Sequence, residues 1–160
     1  MKTCDICDKF GDAVHYLDGG LLRNYGGKIS FAGPVRTVKC FEDNSKVKQL
    51  LAEDGAGRVL VVDGGGSVKK ALLGDLIAGG AVAKGWVGVV IYGCIRDSEA
   101  VSKMDIGILA IGTTPRKTDR KDLGDVDVEV SFGSVSFKPG AWLYADEDGV
   151  VVADSELSKL

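Results

Sequence analysis

Asp75, Arg96 and Asp97 are the residues whose types and spacing point most directly to chemistry. Gly74-Asp75 opens the run LIAGGAVAKGWVGVVIYGCI, and Arg96-Asp97 closes it twenty residues later. A helix starting at Gly74-Asp75 aims free backbone N–H groups, and the positive end of its dipole, at the space before it, which suits a carboxylate. Arg96 and Asp97 follow an apolar strand, at the end where α/β sheets place ligand groups. Arginine grips a carboxylate or keto acid at two points and can stabilise an enolate oxygen. Asp97 offers the hard oxygen preferred by Mg²⁺, a metal that usually takes only one or two protein carboxylates and keeps its waters. Asp75 can hold or deprotonate a metal-bound water. Each residue also has a plain structural reading. Asp97 or Ser98 can be the N-cap of the next helix, Arg96 a solvated strand-end charge, and Asp75 a first-turn acid complementing the helix dipole. Spacing alone does not choose between the two.

Other familiar chemistries are poorly supplied. His15 is the only histidine, so a multi-histidine metal site is excluded and a Ser-His-Asp constellation would hang on that one residue. Cys4-Asp5-Ile6-Cys7 has CxxC spacing, but no second pair completes four zinc ligands, and two cysteines on a helix face is the simpler reading. Asp63-Gly64-Gly65-Gly66-Ser67 follows a strand as phosphate loops do, yet lacks the Gly-Lys-Ser/Thr ending, and Lys69 falls where the dinucleotide fingerprint wants its third glycine. The basic cluster Arg116, Lys117, Arg120 and Lys121 is diluted by Asp119 and Asp122 and reads as a solvated loop, with the rim of an anionic site as the alternative.

The elements that must position these residues alternate between strand and helix. GKISFAGPVRTVKCF predicts a bent strand, or two short ones broken at Gly33-Pro34. EDNSKVKQLLAEDGAG predicts a helix with Asp43, Asn44 or Ser45 as N-cap and Gly55 as the stop. RVLVVD predicts a buried strand, followed by the helix at Gly74-Asp75, the strand WVGVVIYG, a helix over SEAVSKMD and a strand in DIGILAIGTT. Beyond residue 125 the apolar period becomes two, with a hairpin turning at Phe132-Gly133-Ser134 and two more strands, AWLYAD and VVVAD. The expected fold is a compact α/β domain over residues 1–160, with a mixed sheet and an antiparallel C-terminal portion.

Composition sets the surroundings. A chain of 160 residues, 45% hydrophobic, without an apolar run of membrane-spanning length, suits one soluble domain. Its N-terminus mixes charge with apolar residues, unlike a secretory signal, so the protein is expected inside the cell with Cys4, Cys7, Cys40 and Cys94 reduced. A net charge of −3 argues against direct nucleic-acid binding.

The segments YGGKISFAGPVRTVKCFEDN, GRVLVVDGGGSVKKALLGD, GVVIYGCIRD and VSFGSVSFKPGAWLYADEDGVVVA together resemble the RraA-like family, the regulators of ribonuclease E activity A. The resemblance runs from about Tyr25 to Ala153. It implies a β/β/α domain of swivelling type, similar to class II 4-hydroxy-4-methyl-2-oxoglutarate aldolases and assembling as a homotrimer or a pair of trimers. Aldolase-like members carry an Asp, twenty residues, then Arg-Asp, and Asp75 with Arg96-Asp97 matches in spacing and identity; ribonuclease regulators lose parts of that pattern. By this resemblance the backbone of Gly74, Asp75, Leu76 and Ile77 would cradle a pyruvyl carboxylate, Arg96 would bind substrate and Asp97 would hold Mg²⁺ or Mn²⁺. The aldolases also use an acid from a neighbouring subunit, in a C-terminal segment without a counterpart in this chain, which bears on aldol cleavage more than on decarboxylation.

The function expected is therefore a divalent-metal-dependent lyase acting on a pyruvyl-type keto acid. It would be a 4-hydroxy-4-methyl-2-oxoglutarate aldolase, an oxaloacetate decarboxylase, or both. The rival is a non-catalytic protein-binding regulator of ribonuclease E-type activity, and a third reading is an intact but unused site. Ser158-Lys159-Leu160 is the tripeptide read by peroxisomal import receptors, giving an expected location in a peroxisome or glycosome, or in the cytoplasm for a bacterial source.

Overall fold

The computed structural model describes residues 1–158, so Lys159 and Leu160 of the import tripeptide lie outside the described residues. The helices are α1 (Thr3–Phe10), α2 (Ser45–Leu51), α3 (Asp75–Ala83) and α4 (Ser98–Val101). The strands are β1 (His15–Tyr16), β2 (Arg23–Asn24), β3 (Phe31–Lys39), β4 (Val59–Asp63), β5 (Gly88–Ile95), β6 (Gly107–Thr113), β7 (Asp125–Val126), β8 (Val130–Phe132), β9 (Val135–Phe137), β10 (Trp142–Asp146) and β11 (Gly149–Ala153). Among the described residues no helix is long and apolar enough to cross a membrane.

The main sheet runs β1-β11-β10-β3-β4-β5-β6-β2, with β7 also on β3 and β8-β9 forming a separate hairpin. It is mixed. Strands β3 to β6 are parallel where they meet, while β10 and β11 are antiparallel. Of the two readings of the Gly33-Pro34 segment, two short strands is corrected: β3 is one strand, and it changes partner there. Residues 31–34 pair antiparallel with β10, and residues 35–39 pair parallel with β4. Gly33 serves a close approach, since a Cβ there would fall 2.1 Å from the Gly57 carbonyl oxygen.

Alternation along β4 divides the core. Leu60 and Val62 face α2 and α3 with Leu50, Leu51, Trp86 and Ile91, whereas Val59 and Val61 face the other layer with Val90, Phe132, Phe137 and Leu143. Burial on both faces explains why β4 reads as a continuous apolar run. Phe132 stacks on Tyr92, with ring centroids 5.1 Å apart, and this contact clasps the β8-β9 hairpin to the sheet. The layers are thus β/β/α, with α1 docked separately by Ile6 against Tyr144 and Val151.

Two predicted helices are shorter than the sequence suggests. Helix α2 ends at Leu51, and its C-cap is Ala52; Gly55 lies in the turn beyond, where its N–H donates to the Lys84 carbonyl. Helix α4 is a single turn: beyond its C-cap Ser102 the Lys103 and Met104 N–H groups donate three residues back, to the Ala100 and Val101 carbonyls, and this tighter turn leads into β6. The alternation expected to run from Val126 to Phe132 is split: β7 pairs with β3, Asp127 turns the chain with φ 56°, and only Val130–Phe132 enters the hairpin with β9. The other predicted strands overlap observed ones.

Candidate active site

The cleft lies beyond the C-terminal end of β5, between the start of α3 and the loop that follows β6. Two residues separated by twenty positions meet there because the segment 71–74 lies alongside the end of β5. The Leu72 N–H donates to the Cys94 carbonyl at 2.9 Å, and the Arg96 N–H donates back to the Leu73 carbonyl at 2.9 Å. The β5-β6 register shifts between Ile91 and Cys94, and beyond that irregularity Ala71 makes parallel bridges to both Cys94 and Lys117. Such a shift re-aims the strand end, which here carries Arg96 and Asp97.

Asp97 occupies the N-cap position of α4, but its carboxylate does not cap that helix. Its Oδ2 instead accepts the Asp75 N–H at 3.1 Å, so one strand-end acid closes the N-terminus of the neighbouring helix α3. The N-cap of α3 is Gly74, which has no side chain to do this. A Cβ at Gly74 would fall 2.7 Å from Asp97 Oδ2 and 3.4 Å from Arg96 Nε, so a side chain there would displace those two groups. Asp97 adopts φ 55°, ψ 40°, a left-handed conformation costing an Asp about 1 kcal/mol, and its flanking backbone is held on both sides. The Asp75 backbone N–H holds the Asp97 carboxyl below its usual pKa, and the Arg96 guanidinium, 4.0 Å away, adds to this.

Gly74, Asp75, Leu76, Ile77, Arg96 and Asp97 therefore line one cleft of about 80 Å³. The Asp75 N–H is committed to Asp97, which leaves the first-turn N–H groups of Leu76 and Ile77 as the α3 donors facing outward. Among the described residues no group of three or more His, Cys, Asp or Glu is arranged to hold a metal. The donor set fits Mg²⁺ or Mn²⁺ in its hydrated mode. Asp75 and Asp97 both line the cleft and the open groove that continues past Ser98 and Glu99, and their carboxyl groups interact.

The solvated-loop reading of the basic cluster is corrected for part of it. Lys117, Thr118 and Arg120 line the same cleft, with Asn44, a residue the sequence offered only as a helix cap. Asn44 is 5% exposed; its Oδ1 accepts Thr118 Oγ1 at 2.7 Å and Arg120 Nε at 3.0 Å, and its Nδ2 donates to the Leu72 carbonyl at 3.1 Å. Next to it, Asp43 accepts the N–H groups of Ser45, Lys121 and Leu123. Burial would raise the Asp43 pKa, but bonds from the Ser45 hydroxyl and these amides win and bring it to about 2. Asp43 and Asn44 thus tie a loop over seventy positions away to the cleft. The one available sequence signal was two adjacent Asx residues with Thr118 in a cationic loop, a pairing that no local pattern discloses.

A family model described as RraA-like, Aldolase/RraA, matches residues 3–152. A Xanthomonas campestris pv. campestris protein named "Putative 4-hydroxy-4-methyl-2-oxoglutarate aldolase" is 52% identical over 156 residues, covering 98% of this chain and 93% of that protein. The crystal structure of a Geobacillus kaustophilus protein named S-adenosylmethionine: 2-dimethylmenaquinone methyltransferase superposes with a TM-score of 0.95 at 49% identity, covering 98% of this chain and 97% of that one. That of the RNA-processing inhibitor RraA from Thermus thermophilus gives 0.96 at 42% identity, covering 100% and 96%. Three names for different activities sit on one fold, so fold alone does not choose among them. The match along nearly the whole chain does establish membership: the chain belongs to the RraA-like family.

Proposed function

We propose that the protein is a divalent-metal-dependent carbon-carbon lyase for pyruvyl-type keto acids, cleaving 4-hydroxy-4-methyl-2-oxoglutarate, oxaloacetate or both through a pyruvate enolate. The observation that carries this reading is the convergence of Arg96, the Asp97 carboxylate and the N-terminus of α3 on one cleft. The names of relatives near 50% identity agree with a lyase.

In this reading the substrate carboxylate accepts from the Leu76 and Ile77 N–H groups at the positive end of α3. Arg96 faces the 2-oxo group. Mg²⁺ or Mn²⁺ held by Asp97, when bound, supplies Lewis-acid polarisation of that carbonyl. Oxaloacetate then loses CO₂ as its C3–C4 bond breaks, and the electron pair enters the pyruvate enolate, whose oxygen Arg96 stabilises until C3 takes a proton. With 4-hydroxy-4-methyl-2-oxoglutarate the C4 hydroxyl gives up its proton, the C3–C4 bond breaks, and the products are pyruvate and the same enolate. In this reading Asp75, which lines the cleft, holds the water that carries these protons.

The test is pyruvate release from both substrates, with and without EDTA, corrected for the metal's own catalysis. Metal-restored turnover is expected; equal rates in EDTA would remove the metal role, and no rate above background would remove the lyase. The kinship with the Thermus thermophilus inhibitor favours a second reading, a protein that binds and restrains a ribonuclease. Inhibition of ribonuclease E that survives Arg96→Ala, in a protein without lyase activity, would select it. We also propose assembly as a homotrimer or a pair of trimers. Supporting this, Leu76 is 86% exposed beside the cleft, and Gly80 of α3 has open space where a side chain would be. A monomer mass in light scattering at micromolar concentration would overturn it.

A further inference from the structure

Asn44 stands at the N-cap of α2, yet its side chain caps nothing there. An Asn in that position usually bonds the first-turn amides. Here the amide is turned away and bonded elsewhere, to Thr118, Arg120 and the Leu72 carbonyl. Two donors on Oδ1 fix which way the amide faces. The bond to Nε fixes one edge of the Arg120 guanidinium and leaves its two terminal nitrogens, the fork that matches a carboxylate, without a partner among the described residues.

The charges around the cleft do not balance. Arg96, Lys117 and Arg120 line it with only the carboxylates of Asp75 and Asp97, and among the described residues neither Lys117 nor Arg120 is in an ion pair. A pyruvyl group occupies one cation, Arg96, and the amides at α3. The cations on the opposite, loop-borne wall are surplus to that task.

We propose that Arg120, oriented by Asn44 and assisted by Lys117, is a specificity-determining residue that binds a second, distal carboxylate, so that the site selects dicarboxylic over monocarboxylic keto acids. Asn44 acts through Arg120 and is a positioning residue. The inference rests on the lyase reading for the placement of the pyruvyl end.

A pair of probes isolates the distal group: 2-oxoglutarate and 2-oxopentanoate share chain length and the keto-acid end and differ in a carboxylate against a methyl. Calorimetric titration in Mg²⁺ is expected to give a wild-type preference for 2-oxoglutarate of at least about tenfold, equivalent to about 1.4 kcal/mol. Arg120→Gln should bring the preference to about twofold or less without weakening 2-oxopentanoate, and Arg120→Lys should recover part of it. Asn44→Ala should lower the preference in the same direction; because that change can also loosen the loop, the exposed Arg120 variants are the decisive ones. A wild type without preference, including one that binds neither probe at millimolar concentration, overturns the inference. So does an Arg120→Gln variant that weakens both probes equally. Pyruvate release measured on the same preparations separates the two ideas: preference without turnover removes the lyase and keeps the subsite, whereas turnover without preference does the reverse.

Discussion

The cleft beyond the end of β5 encloses about 80 Å³, whereas the groove between the Leu17–Asn24 segment and the β10-β11 turn encloses about 450 Å³. The larger hollow is floored by Leu17, Leu22, Leu109 and Val150, and its acids are already employed. Asp146 accepts the N–H and hydroxyl of Thr3, Glu147 pairs with Lys2 at 2.8 Å, and Asp18 accepts from Ser134. In the small cleft the reverse holds: Lys117 and the Arg120 fork have no ion-pair partner among the described residues. Uncommitted charge converging on one point, more than volume, marks the place where chemistry can be done.

That contrast breaks first at the charged pair. Asp97→Ala and Arg96→Ala should each lower kcat about a hundredfold or more, the ~2 to 4 kcal/mol typical of one removed electrostatic partner. Arg96→Lys should recover little, since a point charge does not replace a planar fork. Both side chains are 39% exposed, so Arg96→Ala should shift thermal unfolding little, whereas Asp97→Ala also removes the bond that closes α3 and places alanine at φ 55°, and should lower the melting temperature. Steady-state kinetics beside calorimetry would check both halves, and a variant with wild-type kcat would remove its residue from the mechanism.

A subtler change keeps every charge. Gly74→Ala puts a methyl 2.7 Å from Asp97 Oδ2, displacing the carboxylate without altering the donor set. Gly74 has φ −135°, which alanine adopts freely, so the expected result is a fall in kcat of about tenfold with the melting temperature nearly unchanged. Unchanged turnover would mean that Asp97 has room to move.

Asp43 tests the clamp behind the cleft. Its pKa of about 2 lies below the ordinary 3.8, so its contribution to stability is fully present above pH 3.8 and is lost as pH falls toward 2. The size is about 2 kcal/mol, and Asp43→Asn should remove it. Wild type and variant should therefore differ in melting temperature at pH 6 and converge near pH 2. A constant difference across that range would place the effect in packing.

What was legible in the sequence follows the same division. The strands β4, β5 and β6 and helix α3 were readable because their apolar period and flanking glycines are local. So was the spacing of Asp75, Arg96 and Asp97, since a helix and one strand connect them. Unreadable were Asn44 and Arg120, which meet across seventy-six positions through side chains on irregular backbone. The change of partner within β3 was hidden too, because Gly33-Pro34 looks like a break from the chain's side and becomes a junction only once β10 has arrived from the far end.

The smallest expected effect lies in the larger hollow. Ile29 lines the groove, is 47% exposed, and faces neither Asp97 nor Arg120. Ile29→Ser removes apolar surface that water already reaches in part, so its cost in stability should be about 1 kcal/mol or less. If uncommitted charge defines the site, kcat and KM for oxaloacetate should stay within about twofold, because no donor or charge in the cleft has changed. Light scattering on the same variant tells whether the groove meets another copy: a lower mass with intact kinetics would make it an assembly surface. A tenfold rise in KM at unchanged mass would instead show that the groove takes part in binding substrate, and the division between the two hollows would no longer stand.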